Sequence, residues 1–221
     1  MLANNIANAS TNGYKADREF YTLYSAPEVA GDTDAMPLIE RPWIDLTQGS
    51  LRVTGNSLDV ALSGSGFFSV EGPNGPLYTR NGSFRVAADG KLADSEGRPV
   101  RGSDGGSIAI GANQPIVISP DGTVRQGGAA VGQISVVGFA NTAGLAKQGS
   151  SYFRVVDESV STPAASQAQV EQGKLEDSNT GNAEGAVRLV AVMRHFEMLQ
   201  KAAGIAGDLS RKAILEVAKV G

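Results

Sequence analysis

The pattern of apolar and polar positions changes twice along this chain, and each change predicts a change of architecture. Residues 1–9 are rich in Ala and Leu with few breakers and read as the end of a helix. Asn12-Gly13 supplies the stop, because Gly and Asn take the left-handed cap conformation at low cost. Residues 17–24 are polar and aromatic and suit either helix or extended chain. Pro27, Pro37 and Pro42, with the loose loop Gly31-Asp32-Thr33-Asp34, then predict an extended connector.

From Ile44 the period becomes two. Leu58, Val60 and Leu62 alternate with Asp59 and Ala61, Phe68 and Val70 with Ser69 and Glu71, and Phe84 and Val86 with Ser83 and Arg85. Asn74-Gly75, Asn81-Gly82, Asp89-Gly90, Glu96-Gly97 and Asp121-Gly122 punctuate these runs, and such pairs suit tight hairpin turns that need positive φ. Ile108 to Ile110, Ile116 to Ile118, Ile134 to Phe139 and Tyr152 to Val156 continue the strands. The polar stretch 162–176 reads as a second connector returning towards the ends.

Beyond the cap-rich run Ser178-Asn179-Thr180-Gly181-Asn182, the period becomes helical. Leu189, Val192, Phe196, Leu199, Ala203, Ala206, Ser210, Ala213, Val217 and Val220 fall at alternating three- and four-residue steps, a coiled-coil-like heptad seam. Met193, Met198, Ala202, Ile205 and Leu209 widen it beyond a two-stranded interface. An ordinary core helix packs on its own domain, but this one is long, broadly apolar and without a second long helix beside it in the sequence. It is therefore expected to bury its seam against other chains.

The expected fold class is mainly β: a central all-β domain of short strands and hairpins, flanked by extended connectors and terminal α-helical segments. The boundaries read from the sequence are 1–26 for the N-terminal helical segment, 27–57 for a connector and 58–161 for the β domain. A return connector follows over 162–181, and the C-terminal helix over 182–221.

Composition narrows the function. The 28 glycines among 221 residues exceed the usual share of about 7% and fit a turn-rich β domain. A net charge of −4 argues against nucleic acid, which needs a clustered basic surface. The absence of cysteine excludes disulfides, thiolate metal sites and cysteine nucleophiles together. No apolar run is long enough to span a membrane, and the first residues carry no signal-peptide pattern.

His195, the single histidine, sits between Arg194 and Phe196 and reads as a packing or solvated helix residue rather than a catalytic base. Asp89, Asp94 and Glu96 lack the spacing of a calcium loop and read as solvated turn residues. Gly64-Ser65-Gly66 lacks the third glycine and the helix of a dinucleotide fingerprint. No catalytic, cofactor or metal site is expected.

Several blocks, in order, resemble one family. Ala3-Asn4-Asn5-Ile6-Ala7-Asn8-Ala9-Ser10-Thr11-Asn12-Gly13-Tyr14-Lys15 resembles the N-terminal signature of bacterial flagellar rod and hook proteins. The blocks Asp45-Leu46-Thr47-Gln48-Gly49-Ser50-Leu51, Gly64-Ser65-Gly66-Phe67-Phe68, Tyr78-Thr79-Arg80-Asn81-Gly82-Ser83-Phe84 and Gln172-Gly173-Lys174-Leu175-Glu176-Asp177-Ser178-Asn179 are similar to further blocks of that family. Within it, Met193-Arg194-His195-Phe196-Glu197-Met198 is most similar to the proximal-rod subunit.

The resemblance implies a structural subunit of the periplasmic rod of the flagellar basal body, assembled helically with copies of itself and with other rod and hook subunits. It implies export through the flagellar type III apparatus without a cleaved signal. The expected assembly residues are Asn4, Asn5, Asn8 and Gly13 of the signature, and Leu189, Val192, Phe196, Leu199, Ala203, Ala206 and Val217 of the seam. Family members carry a further helix ahead of the signature. With Met1 almost on the motif, the resemblance implies either a truncated chain or a true start that lies upstream, so that this helix, the usual partner of the C-terminal one, is expected to be missing from the sequence as it stands. The alternatives are a distal-rod or hook subunit or, from another class, a secreted carbohydrate-binding β module or enzyme with a helical oligomerisation tail.

Overall fold

The computed structural model describes residues 1–18, 21–24, 36–39, 43–111 and 114–220. The fold is mainly β. Among the described residues two helices, α1 (Leu2–Ala7) and α2 (Asn182–Val220), stand at its ends.

The largest sheet has six antiparallel strands, in the order Leu145–Gln148, Tyr152–Val155, Gly75–Thr79, Phe67–Gly72, Val136–Phe139 and Pro163–Ala165. Its central hairpin turns at Pro73 and Asn74, with Gly72 opposite Gly75 and Phe68 opposite Thr79. Both faces of this sheet are covered. Phe68, Val70, Leu77 and Tyr152 join the main core with Val60, Leu62, Phe84, Leu92, Val100 and Val124. Phe67, Tyr78, Leu145 and Phe153 form a second, aromatic core against Ile44 and Leu46. A strand buried on both sides needs apolar residues at successive positions. That is why Phe67 and Phe68 stand together.

Smaller sheets close the main core. Ile116–Ile118, Thr123–Gln126 and Ala129–Gln133 form a three-stranded meander whose first two strands are joined by a turn in which Gly122 has φ +82°. Arg85–Val86 pairs with Leu92–Ala93 around Asp89-Gly90. Two expected strands are shorter than their alternation suggested. Residues 108–110 contribute Ile108 and Ile110 to the core but pair only through an isolated bridge at Ala109, and only Arg85 and Val86 of residues 83–86 form a strand.

The ends of the β body are stitched together. Gln169–Gln172 pairs with Val60–Ser63, and Lys174–Glu176 with Leu51–Val53. The stretch 162–181 thus returns as extended chain that also takes part in sheets. Asp17–Arg18 pairs with Trp43–Ile44, and Tyr21–Tyr24 with Met36–Ile39. Residues 27–35 and 40–42 of the first connector lie outside the described residues.

Candidate assembly surface and its anchor

The strand pairing brings four separate sequence blocks to one point beneath the two helices. Glu176 closes its strand fully buried. One carboxylate oxygen accepts from Lys15 Nζ and from the Gly49 N–H at 3.0 Å, and the other from Arg80 Nη1 at 3.2 Å. Lys15 and Arg80 are themselves buried. Lys15 Nζ also donates to the Thr47 carbonyl at 2.6 Å, and Arg80 Nη2 to the Gly64 carbonyl at 2.8 Å. The Arg80 guanidinium lies 5.3 Å from the Phe67 ring centroid.

Two cations thus share one anion, with backbone carbonyls supplying the remaining partial negative charge. Burial holds both Lys15 and Arg80 below their ordinary pKa values, against the opposing pull of Glu176.

Further polar contacts surround this triad. Asn179 Nδ2 donates to the Asp45 carbonyl at 2.7 Å, while its Oδ1 accepts from the Ala16 N–H at 2.7 Å. Asp45 accepts from Arg18 Nε at 2.7 Å and from the Thr47 hydroxyl at 2.6 Å. Burial raises the Asp45 carboxyl, but Thr47 and Arg18 outweigh it, so the group sits below the usual carboxylate range. Lys147, from the edge strand, donates to the Lys15 carbonyl, pairs with Asp17 at 2.7 Å and lies 4.2 Å from the Tyr14 ring centroid.

The signature residues fasten α1 to this anchor. Asn5 Nδ2 donates to the Asp17 carbonyl at 2.8 Å, and its Oδ1 accepts from the Asp17 N–H at 2.9 Å and the Tyr14 hydroxyl at 3.0 Å. Asn4 donates to the Asp17 carboxylate at 3.3 Å, and Asn8 donates back to the Asn4 carbonyl at 2.9 Å. α1 ends at Ala7 with Asn8 as its cap, so the helix stop lies ahead of Asn12-Gly13. Gly13 serves a different purpose. Its φ is +69°, its N–H donates to the Glu176 carbonyl at 2.7 Å, and a Cβ there would lie 2.4 Å from the Arg80 carbonyl carbon. Only glycine permits that approach.

Above the anchor, α1 meets the first turn of α2, where a Cβ on Gly185 would stand 3.2 Å from Ile6 Cγ1. Beyond that contact α2 projects with its apolar side chains uncovered. Leu189 is 38% exposed, Val192 53%, Phe196 60% and Leu199 65%, and Ala203 and Ala206 are exposed as well. Val217 lies in α2 outside the residues whose side chains are described.

At ~100° per residue, Val187, Val190, Met198 and Ile205 fall opposite the Val192–Phe196–Leu199 seam and are equally uncovered. Arg194 and Lys201 lie on that opposite face too, so the helix is not apolar all round, but its apolar residues occupy two faces rather than one stripe. A single partner would cover only one of these faces.

His195 is exposed on the same helix. No group of His, Cys, Asp and Glu among the described residues has the arrangement of a metal site. Nor is any described helix long and apolar enough to cross a membrane. A surface groove of about 850 Å³ runs past Arg101, Asp121 and Gln133 beside the edge strand Pro163–Ala165.

One carboxylate differs from its sequence reading. Asp94 is a buried core residue, not a solvated one. It accepts from the Tyr152 hydroxyl at 2.8 Å and from the N–H groups of Glu96 and Arg98.

The anchor has a titration signature. Burial first, then the charge and hydrogen bond of Asp17, pushes the Tyr14 phenol up to about 12 from 10.0. A raised phenol gives stability that is complete below the unfolded pKa and is lost as pH climbs towards the folded one. Tyr14→Phe is therefore expected to cost about 1 kcal/mol at neutral pH through its lost hydrogen bonds. The gap between the two melting temperatures should then close from pH 10 to pH 12. A gap constant with pH in parallel thermal melts would remove Tyr14 from the alkaline transition.

Residues 61–126 match the family model described as the flagellar hook protein FlgE/F/G D1 domain. Across the whole chain, similarity extends to named rod proteins. The chain is 32% identical to the flagellar basal-body rod protein FlgF of Caulobacter vibrioides, an alignment covering 100% of this chain and 91% of that one. It is 34% identical to the flagellar basal-body rod protein FlgG of Agrobacterium fabrum, covering 95% and 90%. With FlgG of Buchnera aphidicola the identity is 29%, covering 96% and 91%.

Proposed function

Because this chain belongs to the family of flagellar basal-body rod proteins, we propose that it takes a place in the proximal rod and polymerises there through its terminal helical segments. It is a structural subunit of the basal-body rod, assembling with other rod and hook proteins. The observation that carries the polymerisation reading is α2, which leaves Val192, Phe196 and Leu199 more than half exposed in the single chain. Contacts that propagate from subunit to subunit without closing generate a helical filament. The buried anchor beneath α2 fixes the helices to the β body, so that force on one is passed to the other.

The proximal position rests on the similarity of residues 193–198 to the proximal-rod subunit. Non-catalytic function, export by the flagellar type III apparatus without a cleaved signal, and a periplasmic rod position follow from the family reading and belong to the same proposal. Asn4, Asn5, Asn8 and Gly13 act in it through the anchor, by holding α1 and α2 in the orientation that assembly requires.

The lack of cysteine makes the test simple, since an introduced thiol is the only one in the chain. Val192→Cys and, on the exposed β surface, Glu158→Cys are labelled with a maleimide in the free subunit and in purified basal bodies. The thiol at position 192 should react at least about tenfold more slowly after assembly, because packed interfaces exclude solvent and reagent. The thiol at position 158 reports any general loss of access. Equal rates at position 192 in the two states would remove α2 from the subunit interface.

A further inference from the structure

Three Asn-Gly pairs occur in this chain, and the fold treats them differently. Asn-Gly is the dipeptide most open to attack by the following backbone nitrogen on the side-chain amide, because glycine has no Cβ in the way.

At Asn12-Gly13 that nitrogen is committed: the Gly13 N–H donates to the Glu176 carbonyl at 2.7 Å. The Asn12 side-chain oxygen accepts from Arg52 Nη2 at 3.2 Å. At Asn81-Gly82 the Asn81 oxygen accepts from the Ser83 N–H at 3.1 Å. Gly82 is buried, so close to its neighbour that a Cβ would lie 1.7 Å from the Val60 carbonyl oxygen. Neither pair has room to form a ring. Asn74-Gly75 is unlike both. Its hairpin turns at Pro73 and Asn74, and Gly75 closes the ladder opposite Gly72, but both residues are exposed at the tip and a Cβ on Gly75 would meet nothing within 4 Å, so the difference lies in exposure and in the freedom of the side chain. Among the described residues, no hydrogen bond or ion pair holds the Asn74 side chain.

We propose that Asn74 is a self-modification site, converting to aspartate and isoaspartate through a succinimide while the fold keeps Asn12 and Asn81 unreactive. The Gly75 nitrogen loses its proton to solvent base and bonds to Asn74 Cγ. The Cγ–Nδ2 bond breaks, and Nδ2 leaves as ammonia after taking up a proton. Water then opens the five-membered imide at either carbonyl, giving an aspartate in the ordinary backbone or an isoaspartyl linkage. The net change is one water consumed and one ammonia released, with no oxidant or cofactor.

Each converted subunit gains one negative charge. Asn74 lines a groove of about 430 Å³ together with Arg154 and Glu158. The new carboxylate therefore joins a charged patch at the hairpin tip of the β body.

The experiment incubates the full folded chain at mildly alkaline pH, then maps deamidation by peptide mass spectrometry and counts isoaspartate with an isoaspartyl methyltransferase. Asn74 should convert at least about tenfold faster than Asn12 or Asn81, and the three rates should come within about threefold of one another in urea, where structural protection is lost. Asn74→Gln, whose longer side chain closes the ring poorly, should abolish the early acidic isoform on isoelectric focusing without lowering the melting temperature. Conversion of Asn12 or Asn81 as fast as Asn74 in the folded chain would overturn the proposal. So would an unreacted Asn74 at times when the unfolded chain has converted.

Discussion

Glu176→Gln is expected to destabilise the β body by about 3–5 kcal/mol, the cost of leaving buried charge without its partner. The reason is the local charge count. Lys15 and Arg80 are both buried against Glu176, the carboxylate to which both donate. Removing that carboxylate leaves two cations facing each other away from water. Glutamine cannot replace it, because all three bonds it would inherit come from donors: Lys15 Nζ, the Gly49 N–H and Arg80 Nη1. Its own NH2 group must face one of them.

Lys15→Met should be milder, about 1–3 kcal/mol, since Arg80 and Glu176 remain as a neutral pair, the Gly49 N–H stays on the carboxylate, and the Thr47 carbonyl keeps Asn179 Nδ2 at 3.1 Å. The order of the two variants is thus the sharper test. For a chain of this size, ~1 kcal/mol moves the midpoint by about 2–4 °C, so thermal melts resolve them easily. Lys15→Met proving as costly as Glu176→Gln would mean that the triad does not behave as two cations on one anion. A change below about 1 kcal/mol for Glu176→Gln would mean that water reaches the site.

Much of this anchor was visible in the sequence as motif but not as chemistry. The blocks holding Lys15, Thr47, Arg80 and Glu176 stood out for their order and their likeness to a family. Nothing in their spacing showed that the four meet, because Lys15 and Glu176 lie 161 residues apart and join only through strand pairing. One local signal was available. Lys15 stands between Tyr14 and Ala16, and Glu176 follows Leu175, each charge beside residues that the core takes up. Asp94 was missed for the same reason. Its bonds to the Glu96 and Arg98 N–H groups are local, but the Tyr152 hydroxyl that also bonds it comes from a strand 58 residues away.

Turns were more legible than strands. Asp121-Gly122 and Asp89-Gly90 turn where positive φ was expected, because turn chemistry is decided within four residues. Alternation misleads where a strand is covered on both sides: Val60, Ala61 and Leu62 are all fully buried, although only Val60 and Leu62 were expected to face inward. The helix beginning near residue 182 was plain from its period, since that signal needs no distant partner.

Leu199→Asp is expected to abolish rod assembly while leaving the free subunit almost unchanged. In the single chain Leu199 is 65% exposed, so the carboxylate stays in water and the cost is a helix-propensity difference of about 0.5 kcal/mol. In the rod the same position lies on the seam between Phe196 and Ala203, which packing against a neighbouring subunit would dehydrate. A lone carboxylate buried there costs several kcal/mol per contact, and a polymer repeats that cost at every subunit. The substitution also acts on a helix whose opposite face, with Val190 and Met198, still seeks cover. Partial complexes held by that second face could therefore persist without growing into a rod.

The measurement pairs soft-agar motility of a strain carrying Leu199→Asp at its own locus with the melting temperature of the purified subunit. Loss of swimming with an unchanged melt is the expected pair. Normal swimming at wild-type expression would show that this seam is not buried in the rod. A lowered melt would show instead that Leu199 packs on its own chain.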